Sequence, residues 1–174
     1  MNQRPPLLVA VVVVVVVLAV LAGAQAVAAS LSQGPEQPIA FPHDVHATAL
    51  QLDCTFCHRN ADKGLNASVP AVQQCMFCHS VVTGGSENAQ REIGKVREAF
   101  QDGEPIDWIR VHRVPDHVRF VHEAHIRAGF NCATCHGDVA KMKRVAQVRP
   151  LKMGDCVSCH RANNAPTDCT TCHK

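Results

Sequence analysis

All ten cysteines of this 174-residue chain fall into one pattern, Cys-x-x-Cys-His, repeated five times. The copies are Cys54/Cys57/His58, Cys75/Cys78/His79, Cys132/Cys135/His136, Cys156/Cys159/His160 and Cys169/Cys172/His173. Two thiols three positions apart, followed at once by an imidazole, match the attachment chemistry of a c-type haem. The thiols clamp the two vinyl positions of one porphyrin as thioethers, and the histidine then lies under the iron as an axial ligand. Zinc ribbons also use paired Cys-x-x-Cys units, and an even cysteine count in an exported chain also fits a disulfide framework. Neither asks for a histidine after every second cysteine. At this chain's histidine frequency, 11 of 174, five such coincidences have a chance of roughly one in a million. The pattern therefore predicts five covalently bound haem c groups, with His58, His79, His136, His160 and His173 on the irons.

Each iron then needs a ligand on its other side. Six histidines lie outside the motifs: His43, His46, His112, His117, His122 and His125. Four of them form two copies of Phe-x-His-x-x-His, Phe41/His43/His46 and Phe120/His122/His125. Positions three apart on a helix share a face but diverge by about 60°, so each pair can reach two different irons. Five irons leave one candidate surplus. His43, His46, His112, His122 and His125 are read as the distal set, with His117 set aside. Met142 and Met153 are alternatives for one haem, and methionine ligation would raise its potential. Both also read as apolar packing on a porphyrin.

The elements that must position these groups follow from the repeat. The first Phe-x-His-x-x-His leads by seven residues to Cys54 and the second by six to Cys132. A second haem motif starts 21 residues after the first in one half and 24 in the other, and the C-terminal half adds a third. The expected organisation is residues 1–29 as an N-terminal segment, 30–38 as a proline-marked linker, 39–82 as a dihaem module, 83–109 as a connection and 110–174 as a trihaem module. Within the connection, Ser86 to Gln101 reads as a helix with Ile93, Val96 and Phe100 on one side, ended by Asp102-Gly103-Glu104-Pro105. It is read as packing on a haem face, with a partner-docking helix as the alternative. The fold class expected is mostly irregular, with short α-helices around five covalent haems, little or no sheet, and one N-terminal transmembrane helix.

That N-terminal segment runs apolar from Leu7 to Ala24, with seven consecutive valines, and Arg4 is the only charge near it. Eighteen residues rise about 27 Å, close to the ~30 Å of a bilayer core. Arg4 keeps the N-terminus cytoplasmic and exports the rest. A cleaved signal peptide competes with the anchor, since Ala24-Gln25-Ala26 and Ala26-Val27-Ala28 fit small-x-small cleavage sites. Both readings place the haem domain in the periplasm.

Composition bounds the rest. One Trp, no Tyr and six Phe are thin material for a packed core, so porphyrins must supply much of the apolar bulk. Five haems, adding about one net negative charge each when oxidised and two when reduced, take the formal +2 to about −3 and −8. Nothing here points to nucleic acid. The basic residues Lys141, Lys143, Arg144 and Arg149 fit propionate partners better than a phosphate site.

The Phe-x-His-x-x-His units ahead of Cys-x-x-Cys-His resemble the class III multihaem cytochromes c. Trp108-Ile109-Arg110-Val111-His112, Pro115-Asp116, Phe120/His122/His125 and Asn163-x-Ala165-Pro166-Thr167-Asp168-Cys169 further resemble the pentahaem subunit of alternative complex III. The likeness spans about residues 37–174. It implies an electron-transfer subunit, not itself an enzyme, anchored in the cytoplasmic (inner) membrane by a single pass. The implied partners are membrane-bound iron–sulfur/quinol-oxidising subunits and a downstream cytochrome c or oxidase. By the same likeness, His112, His122 and His125 match ligand-bearing positions, while His117 does not. With two histidines on every iron no substrate position stays open. Rival readings are a soluble periplasmic shuttle, a membrane-anchored quinol dehydrogenase, and a multihaem reductase, which would need a five-coordinate haem.

Overall fold

The structure, a computed structural model, describes residues 6–31 and 34–173. It divides into two units, Met1–Gly34 and Pro35–Lys174. The first contains one helix, α1 (Pro6–Leu31). Its window Leu8–Gln25 has a mean hydropathy of 2.9 and no acidic or basic residue. Valine is a middling helix former in water, but in lipid a backbone must bond to itself, which favours helix whatever the side chain. The large side chains from Leu8 to Leu21 are exposed around the whole circumference, as in a segment made for an apolar solvent and not for a protein core. At 26 residues the helix is about 39 Å long, enough to cross a bilayer. A signal sequence near an N-terminus has the same character.

The second unit is built from short helices joined by long irregular segments. A π-helical turn (Asp44–Ala49) precedes α2 (Cys54–Cys57) and α3 (Val72–His79). Then come α4 (Glu87–Asp102), α5 (His122–Arg127) and α6 (Cys132–His136). A 3₁₀ turn (Val139–Lys141), α7 (Met153–Ala162) and α8 (Cys169–Cys172) complete it. Among the described residues there is no strand, only a single antiparallel bridge between Val118 and His173.

Helix α4 shows how the sequence signals work. Ser86 caps its N-terminus, its hydroxyl accepting from the Ala89 amide at 3.2 Å. Gly103 adopts φ +72° to end it, a left-handed conformation that costs glycine little. The apolar side packs on α3: Val96 and Val72 are buried together with Ile39, against Met76, Ala99, Ile106 and Trp108. Arg97 on the same helix donates to the carbonyls of His79 at 2.7 Å and Val82 at 3.4 Å. The helix is a splint for the second Cys-x-x-Cys-His motif.

The sequence repeats are interlocked into one compact unit. The Asp44 amide donates to the Met142 carbonyl at 3.3 Å, and the Thr48 hydroxyl to the Ala140 carbonyl at 2.6 Å. The amides of His122 and Glu123 donate to Leu65 and Gly64 at 3.3 and 3.2 Å. Yet the protein core itself is small. Among the described residues the buried hydrophobics are Ile39, Ala61, Val72 and Val96. Four such residues are far too few to offset the conformational entropy of ordering about 140 residues. The chain produced in cells lacking haem attachment is therefore expected to show no cooperative thermal transition by near-UV circular dichroism, and rapid proteolysis, while the haem-bearing chain melts cooperatively.

Candidate haem centres

Each Cys-x-x-Cys-His motif lies on a turn of helix, which sets the two sulfurs about one turn apart on one side of the backbone. The residue ahead of the motif nucleates that turn in two cases. Asp53 accepts from the Thr55 amide at 2.7 Å to start α2, and Asn131 accepts from the Thr134 amide at 3.0 Å to start α6. At α7 the cap is reversed in order: Asp155, one residue before Cys156, accepts from the Lys152 amide at 3.0 Å. Gly137 closes α6 at φ +70°, where a Cβ would sit 2.8 Å from a Val148 methyl carbon.

All ten thiols are free of disulfides. Cys54, Cys78, Cys132 and Cys169 are exposed, and the other six are half-buried. Burial raises the thiol pKa values of Cys54, Cys57, Cys75, Cys135 and Cys156, so these sulfurs stay protonated at neutral pH. Cys78 is the more exposed cysteine of its motif, as Cys54, Cys132 and Cys169 are of theirs. Its motif partner Cys75 is half-buried beside Cys57, whereas Cys78 lies at the surface near the end of α3. The physical reason is the helix face. Val72, Cys75 and Met76 turn towards the cluster shared with α4, and Phe77 and Cys78 fall on the side turned to solvent. What fixes Cys78 is its backbone, whose carbonyl accepts from the amides of Val81 and Val82 at 3.1 and 2.9 Å. Its part in haem attachment rests on its spacing from Cys75 and on the adjoining His79. Among the described residues, no three His, Cys, Asp or Glu side chains converge on a metal-ion site, which a zinc ribbon requires.

The two Phe-x-His-x-x-His units adopt the same local geometry. Phe41 stacks on His46 at 4.2 Å and meets His43 edge-on at 4.9 Å. Phe120 stacks on His125 at 4.5 Å and meets His122 edge-on at 4.8 Å. The Nδ1 of His46 donates to the Pro42 carbonyl at 2.9 Å, and that of His125 to Val121 at 2.8 Å. Each phenylalanine is a wedge that turns two imidazoles apart and fixes both.

Hydrogen bonding leaves the Nε2 side of these rings available. Besides His46 and His125, the Nδ1 atoms of His58, His79, His122 and His160 donate to the carbonyls of Ser68, Val82, Leu65 and Pro166, at 2.6, 3.2, 2.9 and 2.6 Å. A carbonyl on one ring nitrogen sets the tautomer in which the other binds metal. Burial holds His43 and His136 down to about 4, aided by neighbouring imidazoles, and also lowers His112. These rings are neutral at pH 7, as ligation demands. Two buried ring nitrogens, His43 Nδ1 and His112 Nε2, have no hydrogen-bond partner.

The spacing of paired rings is the sharpest test of fit. An iron bound by two imidazole nitrogens at about 2.0 Å each sets the ring centres about 6.2 Å apart. His46 and His79 are 6.1 Å apart, His122 and His136 6.3 Å, and His125 and His160 6.0 Å. His43 lies within electrostatic range of His58. His117 stacks beside His173 at 5.4 Å, and His112 meets His136 edge-on at 4.3 Å. Met153 is 68% exposed, and the Met142 carbonyl holds the Asp44 amide. The basic residues are engaged within the chain: Lys141 with Asp138 at 2.6 Å, Arg144 with Glu36 at 3.6 Å, and Arg149 with the Thr134 carbonyl at 2.9 Å. Sequence reasoning passed over the juxtaposition of His117 with the fifth motif, since no local signal marks a contact made 56 positions away.

Comparisons with known proteins agree with this geometry. Residues 118–174 match the family of cytochrome c7 and related cytochromes c, and residues 21–106 match the class III cytochrome c family. The chain is 30% identical over 165 residues to the menaquinone reductase multihaem cytochrome c subunit of Nitratidesulfovibrio vulgaris (strain Hildenborough), covering 80% of this chain and 77% of that one. The chain belongs to the class III multihaem cytochromes c, proteins that carry covalent haem c and transfer electrons. The phenylalanine wedges then have a spectroscopic consequence. Phe120→Ala is expected to change the g-anisotropy of two low-spin haems in the EPR spectrum, because two imidazole planes lose their orientation, while covalent haem content by mass stays unchanged.

Proposed function

We propose that this chain is a pentahaem electron-transfer subunit, relaying electrons between a quinone-reacting membrane complex and a periplasmic redox partner. The ten cysteines named above, the exposed Cys78 included, hold five haem c groups, and His58, His79, His136, His160 and His173 are the proximal ligands. His43, His46, His122 and His125 are distal ligands for the first, second, third and fourth motifs. The fifth distal position falls to one of the two remaining histidines, His112 or His117. Bound haem iron would take up and release single electrons at a potential set by its axial ligands and burial. Imidazoles on both sides of every iron leave no open position, so the subunit moves electrons without bond chemistry.

The observation that carries this reading is the continuity of the five motifs in space. Cys75 of the second motif lies close to Cys57 of the first, and Gln74 donates to the Phe56 carbonyl. Cys54 of the first hydrogen-bonds Cys132 of the third, and His58 neighbours His136. Cys135 of the third neighbours Cys159 of the fourth, and Cys156 of the fourth neighbours Cys172 of the fifth. The attachment points thus form one series, second–first–third–fourth–fifth, with no gap at the boundary between the sequence repeats.

The partners follow from the family. A relative that is a menaquinone reductase subunit, together with the resemblance to alternative complex III, supports iron–sulfur or quinone-reacting partner subunits in the cytoplasmic membrane. In this reading α1 is a single-pass anchor and residues 35–174 face the periplasm. Electrons come from a quinol-oxidising partner and leave to a cytochrome c or oxidase. That the relative belongs to a menaquinone reductase favours a second reading of the direction, from a periplasmic donor towards menaquinone.

Four outcomes are expected. Oxidised protein should give only low-spin EPR signals, and a stoichiometric high-spin haem would sink the closed-wire reading. His122→Ala should open one iron and produce a single high-spin, carbon-monoxide-binding haem; unchanged spectra would remove His122 from the ligand set. On a native gel of gently solubilised membranes, stained for haem peroxidase, the chain should migrate in a complex of several subunits. Migration alone, from the soluble fraction, would make it a shuttle. Added to that complex, a menaquinol analogue should reduce the haems, and a periplasmic donor reducing them while quinone reoxidises them would reverse the direction.

A further inference from the structure

The fifth motif is the one whose distal partner the repeat leaves open, because the C-terminal half has three attachment motifs and only one Phe-x-His-x-x-His unit. Resting on the bis-histidine reading above, we propose that His117, and not His112, is the distal ligand of the haem held by Cys169, Cys172 and His173.

Two observations support this, one backbone pairing and one ring geometry. The single β-bridge among the described residues joins Val118 to His173. The Arg119 amide donates to the Cys172 carbonyl at 2.7 Å, so the backbone from 117 to 119 is pinned along the fifth motif. The imidazoles of His117 and His173 lie with planes 15° apart and centres 5.4 Å apart. Near-parallel planes also characterise His122 and His136, at 6° and 6.3 Å. An opening of about 0.8 Å, within the reach of a side-chain torsion, brings the His117 pair to the ~6.2 Å that an iron between them requires.

His112 is placed differently. Its ring meets His136 edge-on, with planes 87° apart and centres 4.3 Å apart. That separation is about 2 Å too short for an iron between the rings, and His122 already stands at such a spacing from His136. The His112 ring is half-buried and packs as a wall of the third site. The segment 112–119 thus serves two centres: His112 backs the third, and His117 reaches the fifth. Pro115, whose carbonyl accepts from the Val118 amide at 2.9 Å, makes the turn between them.

The test uses the full, haem-loaded chain, with wild type, His117→Ala and His112→Ala compared by EPR, carbon-monoxide difference spectra and haem count by mass. His117→Ala is expected to carry five haems, one of them high-spin and carbon-monoxide-binding, about one fifth of the total iron signal. His112→Ala is expected to keep every haem low-spin. Should His117→Ala fail to accumulate, His117→Met replaces it. A near-infrared thioether-to-iron charge-transfer band and a raised potential on one haem then support the assignment. Unchanged spectra in His117→Ala, or a spin change in His112→Ala alone, overturn it, as does a His117→Met protein without the band. A wild-type protein that already contains a high-spin haem contradicts the bis-histidine reading itself, and so separates the failure of that reading from failure of the His117 assignment.

Discussion

The separation of two imidazole rings across an iron is the constraint on which the rest of the molecule turns. A proximal histidine comes free with its motif, because it adjoins the second cysteine. The opposing histidine must arrive from another element and stop about 6.2 Å away, ring centre to ring centre. Short helices alone cannot hold such a distance. The devices available for it here are a phenylalanine beside two histidines, a carbonyl on the Nδ1 of most of the rings, and backbone bonds that tie one segment to the next. Each device acts on a ring that has few torsions of its own, so a small amount of packing suffices.

That constraint explains why the protein core is so slight. A cluster around Ile39, Val72 and Val96 organises only α3 and α4, and elsewhere the backbone travels in loops from one motif to the next. In an ordinary domain loops run over the surface of a packed interior. In a multihaem cytochrome the large planar cofactors are the interior, and the chain is the wrapping. The local order that remains is concentrated at the attachment turns, where a capping carboxylate or amide one residue before the first cysteine starts the helix. Folding and cofactor attachment are on this view one process.

Much of this was legible in the residues themselves. Attachment motifs, the repeat of Phe-x-His-x-x-His and the helix between the repeats are local signals, and the helix expected at Ser86–Gln101 runs from Glu87 to Asp102 because its cap and its terminating glycine are both local. What could not be read is long-range. From the residues and the resemblance, His112 joins the distal set and His117 is set aside. The proposed reversal of that order rests on a backbone pairing spanning more than fifty positions and on the His117–His173 ring geometry. The same limit hid the contact of Gly64 and Leu65 with the start of α5. It also hid the unequal surroundings of Cys75 and Cys78, since motif spacing treats the two sulfurs alike and only the packing of α3 on α4 separates them. The N-terminal helix is a different case: its apolar character is plain, but a retained anchor and a signal sequence share the same physics of insertion.

The order of the motifs in space is the feature with most bearing on how such a chain conducts. Were the two sequence repeats separate bodies, electrons would have to cross a hinge, and small changes in its opening would throttle transfer. Instead Cys54 of the first motif lies beside Cys132 of the third. The carbonyl of Leu65, from the first repeat, holds both the backbone amide and the ring of His122 in the second. A histidine of one half is thereby oriented by a backbone group of the other. Moving the halves apart would misalign that ring. The two ends of the series, the second and fifth motifs, are tied down by different means: the second by α4 as a splint, the fifth by the bridge to Val118.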